Sequence, residues 1–226
     1  MKSPIFKIGL LFIIVGLLVI GIKAKVSRSF FSDTETQTNN TISTATSFGP
    51  NPGDVVINEI MWMGSQGNSA DEWIELRNMT NRTIDLSNWV VVNLGEGGGP
   101  NANITIPSGK SIGPYGFFLI SNDPKGTSII NIDPDFQTSS VSLQNNGEQL
   151  ILKNSSGTVM DTANGSTGDW LAGEDPAGQN PKKSMERNSI PGNGIVAGSW
   201  HTASMQVNLD LTAAELATPR AANSSP

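Results

Sequence analysis

The amino-acid sequence predicts an all-β fold, an antiparallel β-sandwich. After residue 53, short apolar and β-branched runs alternate with clusters of Gly, Asn, Asp, Pro and Ser, which is the pattern of strands joined by turns. Charged residues make up 15% of the chain, well below the ~25% of typical globular domains. Beyond the first apolar segment, only a short stretch at 209–216 has helical apolar spacing. These observations favour a turn-rich β protein over a helical one.

The strand-like runs have a common length and spacing. They cover residues 55–62, 72–78, 84–93, 103–107, 113–121, 140–143, 148–154 and 157–163. Two Gly-ended clusters, 145–147 and 155–157, flank the run 148–154, as the tight turns of hairpins do. Short strands at regular spacing predict a sandwich in which neighbours in sequence pair in antiparallel fashion.

The first 29 residues are predicted to be a signal peptide or a membrane anchor. Lys2 and Lys7 precede an uncharged apolar segment at 8–22, which as a helix would be roughly 22 Å long. The hydrocarbon core of a bilayer is ~30 Å thick, so this N-terminal apolar helix fits a signal peptide better than a membrane span. Lys23, Lys25 and Arg28 follow the segment and leave a retained anchor open.

Residues 30–53 are predicted to be a flexible linker. The segment is rich in Thr, Asn and Ser and closes on Gly-Pro-Asn-Pro-Gly, a composition typical of loops and linkers. Its start, FFSDTET, resembles the start of the mature chain in camelysin-like exported proteins. The resemblance implies export, so the domain that follows is expected to be secreted or anchored to the outer face of the cytoplasmic membrane.

The composition excludes several classes of function. The chain has no Cys and a single His, so disulfides, thiolate zinc sites, Cys nucleophiles and acid–base pairs of His residues are not available. The net charge is −6, and an acidic chain is a poor candidate for binding nucleic acid, whose affinity depends on neutralising phosphates. The acidic residues in the predicted loops do not have the spacing of an EF-hand, the common calcium-binding loop. We therefore predict no cofactor, no metal and no nucleic-acid partner.

The stretch DEWIEL places two carboxylates around apolar residues. Successive side chains of a strand point to opposite faces, so Glu72 shares a face with Ile74, whereas Trp73 and Glu75 share the other. The two acids therefore cannot converge on one substrate as a general acid and base. We predict structural roles for them, with Glu72 accepting hydrogen bonds from a turn.

Several motifs together resemble the lamin tail domain as it occurs in exported bacterial proteins. They are INEI at 57–60, EWIEL at 72–76 with Asn78, DLSNW at 85–89, SMER at 184–187, Trp200 and TPR at 218–220. The resemblance implies an immunoglobulin-like β-sandwich over 54–203, closed by a tail at 204–226. Its motifs imply structural roles for Glu59, Glu72, Trp73, Glu75, Trp89, Arg187 and Trp200. Asn88 stands where the family usually has Gly, which Asn can replace because it also adopts positive φ.

The segment 165–181 is long for a loop in a compact domain, and long loops are often functional. It carries Trp170 and Leu171 among Gly and acidic residues. Two alternatives are open for this pair: contact with a ligand, or packing of the indole back onto the core.

The sequence predicts that the chain is not an enzyme. The principal hypothesis is a non-catalytic exported or cell-surface module for binding, adhesion or scaffolding, with an unknown protein or cell-envelope partner. If residues 8–22 are not cleaved, they would attach it to the membrane. The alternative is an accessory domain of an extracellular nuclease or phosphoesterase system, because lamin-tail-like domains occur beside such enzymes.

Overall fold

The structure is a computed structural model that describes residues 49–94, 103–166, 168–176 and 181–226. The described residues belong to one unit, Gly49–Pro226. The N-terminal helix predicted at 8–22 and most of the linker predicted at 30–53 lie outside them. Within the described ranges, no helix has the length and apolar character needed to cross a bilayer.

The described residues form short strands and one turn of 3-10 helix at Ala197–Ser199. The strands are β1 (Val55–Met61), β2 (Trp73–Asn78), β3 (Ile84–Asp85), β4 (Val90–Leu94), β5 (Ile104–Thr105), β6 (Ser111–Ile112), β7 (Phe117–Ser121), β8 (Phe136–Gln137), β9 (Gln149–Lys153), β10 (Val159–Ala163), β11 (Met185–Arg187) and β12 (Trp200–Thr202). The all-β prediction is confirmed.

The strands form two larger sheets and a small one, in a sandwich-like arrangement. The first sheet has the order β12-β11-β1-β2-β7-β8, the second has the order β10-β9-β4-β5, and β3 pairs with β6. Every pairing is antiparallel except that of β7 with β8, which is parallel. One apolar cluster contains buried residues of both larger sheets, so the sheets share a core.

Two of the predicted strands are not single strands in the structure, and β6, β8, β11 and β12 lie outside the predicted runs. The run 84–93 is divided by Asn88, which adopts a φ of 61° and so confirms that Asn can occupy the position of a Gly here. The run 140–143 is not a strand, although Val141 and Leu143 are buried. The Leu143 N–H instead donates to the Glu72 carboxylate at 2.9 Å. The side chains of Val141 and Leu143 therefore pack in the core although their backbone pairs with no strand.

Strand β1 is buried along its whole length. Its neighbours in the sheet are β11 and β2, and the pairing with β2 is interrupted by a bulge between Ile57 and Glu59. A bulge leaves one extra residue unpaired and redirects the side chains around it. Here it places both Asn58 and Glu59 in fully buried positions, so both faces of β1 are covered.

Candidate functional site

Three glutamates lie in a row across the middle of the first sheet. Glu59 of β1 is the register partner of both Glu186 of β11 and Glu75 of β2. Register partners on adjacent strands project from the same face. All three side chains are fully buried, so we call Glu186, Glu59 and Glu75 the carboxyl row.

Residues 218–226, which we call the C-terminal strap, cross this row and donate hydrogen bonds to it. The Thr218 N–H donates to Glu59 Oε1 at 2.8 Å, and the Thr218 hydroxyl donates to Glu186 Oε1 at 2.6 Å. Glu59 Oε1 also accepts from the Ser184 hydroxyl at 2.6 Å. One threonine therefore joins two strands of the sheet to the strap.

Two backbone N–H groups further along the strap also donate hydrogen bonds to the carboxyl row. The Arg220 N–H donates to Glu75 Oε2 at 2.5 Å, and the Ser224 N–H donates to Glu186 Oε2 at 2.9 Å. Arg220 has a φ of 56°, the left-handed conformation that favours Gly. The turn at the end of the TPR motif is therefore formed with Arg in a conformation that is more usual for Gly.

The bulge residue Asn58 fixes the end of the strap. Its Nδ2 donates to Glu75 Oε1 and to Asn223 Oδ1, both at 2.8 Å. The Asn223 amide in turn donates to the Arg187 carbonyl at 2.8 Å. Because buried amides need their hydrogen bonds satisfied, this pair holds residues 222–226 at a defined position against the sheet.

The carboxyl row is suited to holding the strap rather than to acid–base chemistry. Burial raises the pKa of Glu59, and the neighbouring Glu186 raises it further. Burial also raises the pKa of Glu75 well above its usual range, with Glu59 adding to the effect. Trp73 partly offsets the rise in the pKa of Glu59, although Trp73 Nε1 and Glu59 Oε2 form no hydrogen bond of ordinary geometry among the described residues. A substrate would have to displace the strap to reach these groups.

The single histidine is part of the same network. His201 of β12 is the register partner of Glu186, and its Nε2 lies 3.1 Å from Glu186 Oε2. Its Nδ1 lies 2.8 Å from Asn188 Oδ1. Asn188 Nδ2 donates to the Gly198 carbonyl, which sets the amide orientation, so His201 Nδ1 is the donor toward Asn188. The imidazole thus links the row to the loop after β11.

Arg187 and Trp200 lie on adjacent strands at the edge of the row. They are register partners, and the Arg187 guanidinium lies 4.6 Å from the centroid of the Trp200 ring. Arg187 is 1% exposed and donates to both carboxylate oxygens of Asp161, at 3.2 and 3.3 Å. This guanidinium connects the first sheet to β10 of the second.

Trp73 and Trp89 are also buried, at 0% and 2% exposure. Trp170 is packed as well: its ring stacks on Trp62 with centroids 6.0 Å apart, and its Nε1 donates to the Gln144 carbonyl at 2.8 Å. Its burial corresponds to the alternative in which the indole folds back onto the core. Leu171 is half-buried, and a ligand contact by either residue of this pair stays a prediction.

A cleft opens beside the end of the strap. Its volume is about 330 Å³, near the lower end of the ~300–1,000 Å³ range of ligand pockets. Arg77 of β2 and Phe117 of β7 are register partners in its wall. The lining residues are Arg77, Tyr115, Phe117, Ser189 and strap residues 222–226. We call this the strap cleft, since the hydrogen bonds of the carboxyl row position one of its walls.

Tyr115 occupies a strained position in this cleft. The Gly116 N–H donates to the Gly113 carbonyl at 3.0 Å, which closes a turn with Pro114 and Tyr115 at its centre. Tyr115 has a φ of 51°, at the turn position where Gly or Asn is preferred. Its side chain is nevertheless 64% exposed, so little packing compensates for the strain.

A family model independently matches this chain. The model is that of the lamin tail domain, and it matches residues 49–166. The chain belongs to the lamin tail domain family. Members are non-catalytic β-sandwich modules, often of binding or scaffold type. A search of curated proteins finds no match to the chain. In this lamin tail domain, β11, β12 and the strap follow the matched range, and β11 and β12 add two strands to the first sheet.

Sequence reasoning did not identify the strap cleft, or Glu186 as a member of the carboxyl row, in this lamin tail domain. Glu186 lies within the SMER motif, but its alignment with Glu59 depends on β11 pairing beside β1, which sequence spacing does not reveal. A usable signal for Tyr115 was the run Gly-Pro-Tyr-Gly, in which Tyr stands at a position of a turn that prefers Gly. Among the described residues, no group of three acidic, His or Cys side chains could hold a metal ion.

Glu72 is expected to make this lamin tail domain less stable as the pH rises from 5 to 8. Burial raises the pKa of Glu72 to about 8, and the Leu143 N–H partly offsets this rise. The folded state binds the Glu72 proton more tightly than the unfolded state does. The stabilisation that results is complete below about pH 4.5 and is lost as the pH rises through the pKa of the folded state. Because the Leu143 N–H and the charge of Lys182 also stabilise the ionised form, we expect Glu72→Gln to reduce the loss of unfolding free energy between pH 5 and 8 by about 1 to 2 kcal/mol.

Urea unfolding of the wild type and of Glu72→Gln at both pH values measures this difference. The Gln amide oxygen retains the acceptor for Leu143, so the variant tests the charge rather than the hydrogen bond. Equal pH dependence in the two proteins would contradict a raised pKa for Glu72.

Proposed function

We propose that this chain is an immunoglobulin-like, non-catalytic module that binds or scaffolds outside the cytoplasmic membrane, and that the strap cleft is its contact surface. It is secreted or held on the outer face of the membrane by residues 8–22. Its partner is another protein or a component of the cell envelope.

The single observation that carries the proposal is the strained, exposed Tyr115. A residue other than Gly in the left-handed region costs roughly 1 kcal/mol, and a largely exposed ring recovers little of that through packing. Tyr115 nevertheless lines a cleft that is also lined by the strap. Hydrogen bonds from Asn58 to Asn223 and from Asn223 to Arg187 fix the strap. Strain kept at a cleft favours a role for the side chain in contact with a partner.

The arrangement of ionisable groups supports a non-catalytic function. The acidic side chains of the carboxyl row are buried beneath the strap, where they hold the fold together. The cleft contains Arg77 and hydroxyl groups, but its described lining includes neither His nor a carboxylate side chain to serve as a general base. A cleft of this composition fits binding better than proton transfer.

Retention of purified full-length protein on intact cells that lack the gene tests the contact surface. We expect Tyr115→Gly to reduce the retained fraction at least tenfold. Val159→Thr is the matched control, because Val159 is 44% exposed on β10 and does not line the cleft, and it should be retained like the wild type. The melting temperature of Tyr115→Gly should be no lower than that of the wild type, because Gly adopts positive φ without strain. Equal retention of all three proteins would overturn the cleft as the contact surface.

The same cells, now expressing the protein, test its location. N-terminal sequencing of the culture supernatant and the membrane fraction should find a start at Phe30 or Phe31 in the first, or an intact Met1 in the second. Protease added to intact cells should degrade the anchored form. A protected domain would show that it faces the cytoplasm, and the proposal of an exported module would then be wrong.

A further inference from the structure

We infer that the strap cleft binds an extended peptide segment that carries a carboxylate side chain beside an apolar or aromatic one. The carboxylate would pair with Arg77, and the apolar side chain would pack on Tyr115 and Phe117. The inference rests on the proposed function, since it names the partner chemistry of the same cleft.

Charge in the cleft favours an anionic partner. The chain as a whole has a net charge of −6, yet the described side chains that line the cleft include Arg77 and no Asp or Glu. The lining also contains Pro226, whose terminal carboxylate forms no salt bridge with Arg77. Within the described residues, Arg77 forms no salt bridge, and its Nη1 makes a long hydrogen bond of 3.4 Å to the Ser189 carbonyl. A guanidinium has five N–H donors in a planar fork that matches a carboxylate. Most of these donors are therefore open to a ligand.

The nearest acid on the same strand face does not neutralise Arg77. Glu75 lies two residues before Arg77, but its carboxyl oxygens accept from Asn58 Nδ2 and the Arg220 N–H. Glu75 is fully buried, and burial raises its pKa, which favours the neutral form. The positive charge of Arg77 is thus directed to the cleft.

Aromatic groups provide the second half of the site. Phe117 is half-buried directly opposite Arg77, and Tyr115, two residues earlier, is 64% exposed. Aromatic rings bury a large area on binding at a low cost in side-chain entropy. An amphipathic ligand, with one charged and one apolar side chain, satisfies both the guanidinium and the rings.

Size and hydrogen-bonding groups favour a peptide over a nucleic acid. A volume of about 330 Å³ suits a few residues in an extended conformation rather than a folded domain. Ser189 and Ser225 are exposed at its edge and offer hydroxyl groups that can bond peptide amides. Tight binding to a phosphate backbone requires several cationic contacts, whereas one cation lines this cleft among the described residues.

Two peptides that differ only in charge test the inference, Ac-Phe-Glu-NH2 and Ac-Phe-Gln-NH2. Tyr115 is the only tyrosine in the chain, so 3-fluorotyrosine incorporated into the full-length protein gives a single fluorine NMR signal in the cleft. We expect this signal to shift and saturate with the Glu peptide, and the Gln peptide to bind at least tenfold more weakly. In Arg77→Gln the affinities for the two peptides should become equal, while Val159→Thr should behave as the wild type does.

Three results would overturn the inference: equal affinity for the two peptides in the wild type, a preference for Glu that persists in Arg77→Gln, or no shift with either peptide at 100-fold excess. These outcomes are distinct from failure of the proposed function. If Tyr115→Gly loses retention on cells while neither peptide binds, the cleft remains the contact surface and the anionic-peptide chemistry is wrong.

Discussion

Replacing Trp89 with Ala is expected to lower the free energy of unfolding by about 3 to 5 kcal/mol. Trp89 is 2% exposed and belongs to the shared apolar core. Its backbone joins β4 to two other segments, since its N–H donates to the Leu86 carbonyl and its carbonyl accepts from the Ile106 N–H. Ala keeps these backbone bonds, so the loss comes from the cavity and the buried area. That loss is a large share of a typical stability of about 5 to 15 kcal/mol.

Urea denaturation of the full-length protein at one fixed pH measures the effect. Trp89→Phe is the matched variant, because it retains most of the ring volume and should lose clearly less stability than Trp89→Ala. Val159→Ala removes an exposed apolar side chain and should cost less than about 0.5 kcal/mol. A loss below about 1 kcal/mol for Trp89→Ala would mean that the indole is not a core residue.

The sequence predicted the strands in which polar and apolar side chains alternate, and those that lie in long apolar segments. β1, β2, β7, β9 and β10 all lie within predicted runs, because five to seven residues rich in apolar and β-branched side chains, set between turn signals, are typical of a strand. Strands of two or three residues, such as β8 and β11, have no periodicity to detect. They exist because tertiary pairing fixes them, as Glu186 opposite Glu59 shows.

The carboxyl row and the strap cleft could not be predicted from local sequence, because both are formed by segments that lie far apart in the chain. Alternation separated Glu72 from Glu75 onto opposite faces, and their hydrogen bonds go to different segments, Leu143 and the strap residue Arg220. The partner of Glu59 is Thr218, 159 positions away, and no spacing rule connects them. The strap cleft brings together β2, the turn before β7, the loop after β11 and the strap, so it is visible only in the folded chain.

Arg187→Ala is expected to lower the free energy of unfolding by about 3 to 5 kcal/mol, because it removes one partner of a buried ion pair. The Asp161 carboxylate would lose both guanidinium hydrogen bonds while its side chain remains only 11% exposed. The carbonyls of Pro191 and Gly192, which accept from Arg187 at 2.5 and 3.0 Å, would also lose their donor. Packing on the Trp200 ring would be lost with them.

The pH dependence of this variant separates the loss of charge from the loss of packing. Burial raises the pKa of Asp161, and Arg187 lowers it, so removing Arg187 should raise this pKa further. A carboxyl with a higher folded pKa loses stability as the pH rises, so Arg187→Ala should be more destabilising at pH 8 than at pH 5. Arg187→Lys keeps the charge but not the planar fork, so it should show a smaller difference between the two pH values. If Arg187→Ala costs the same at both pH values, the ion pair with Asp161 contributes little, and Arg187 stabilises the fold through packing and its hydrogen bonds to the Pro191 and Gly192 carbonyls.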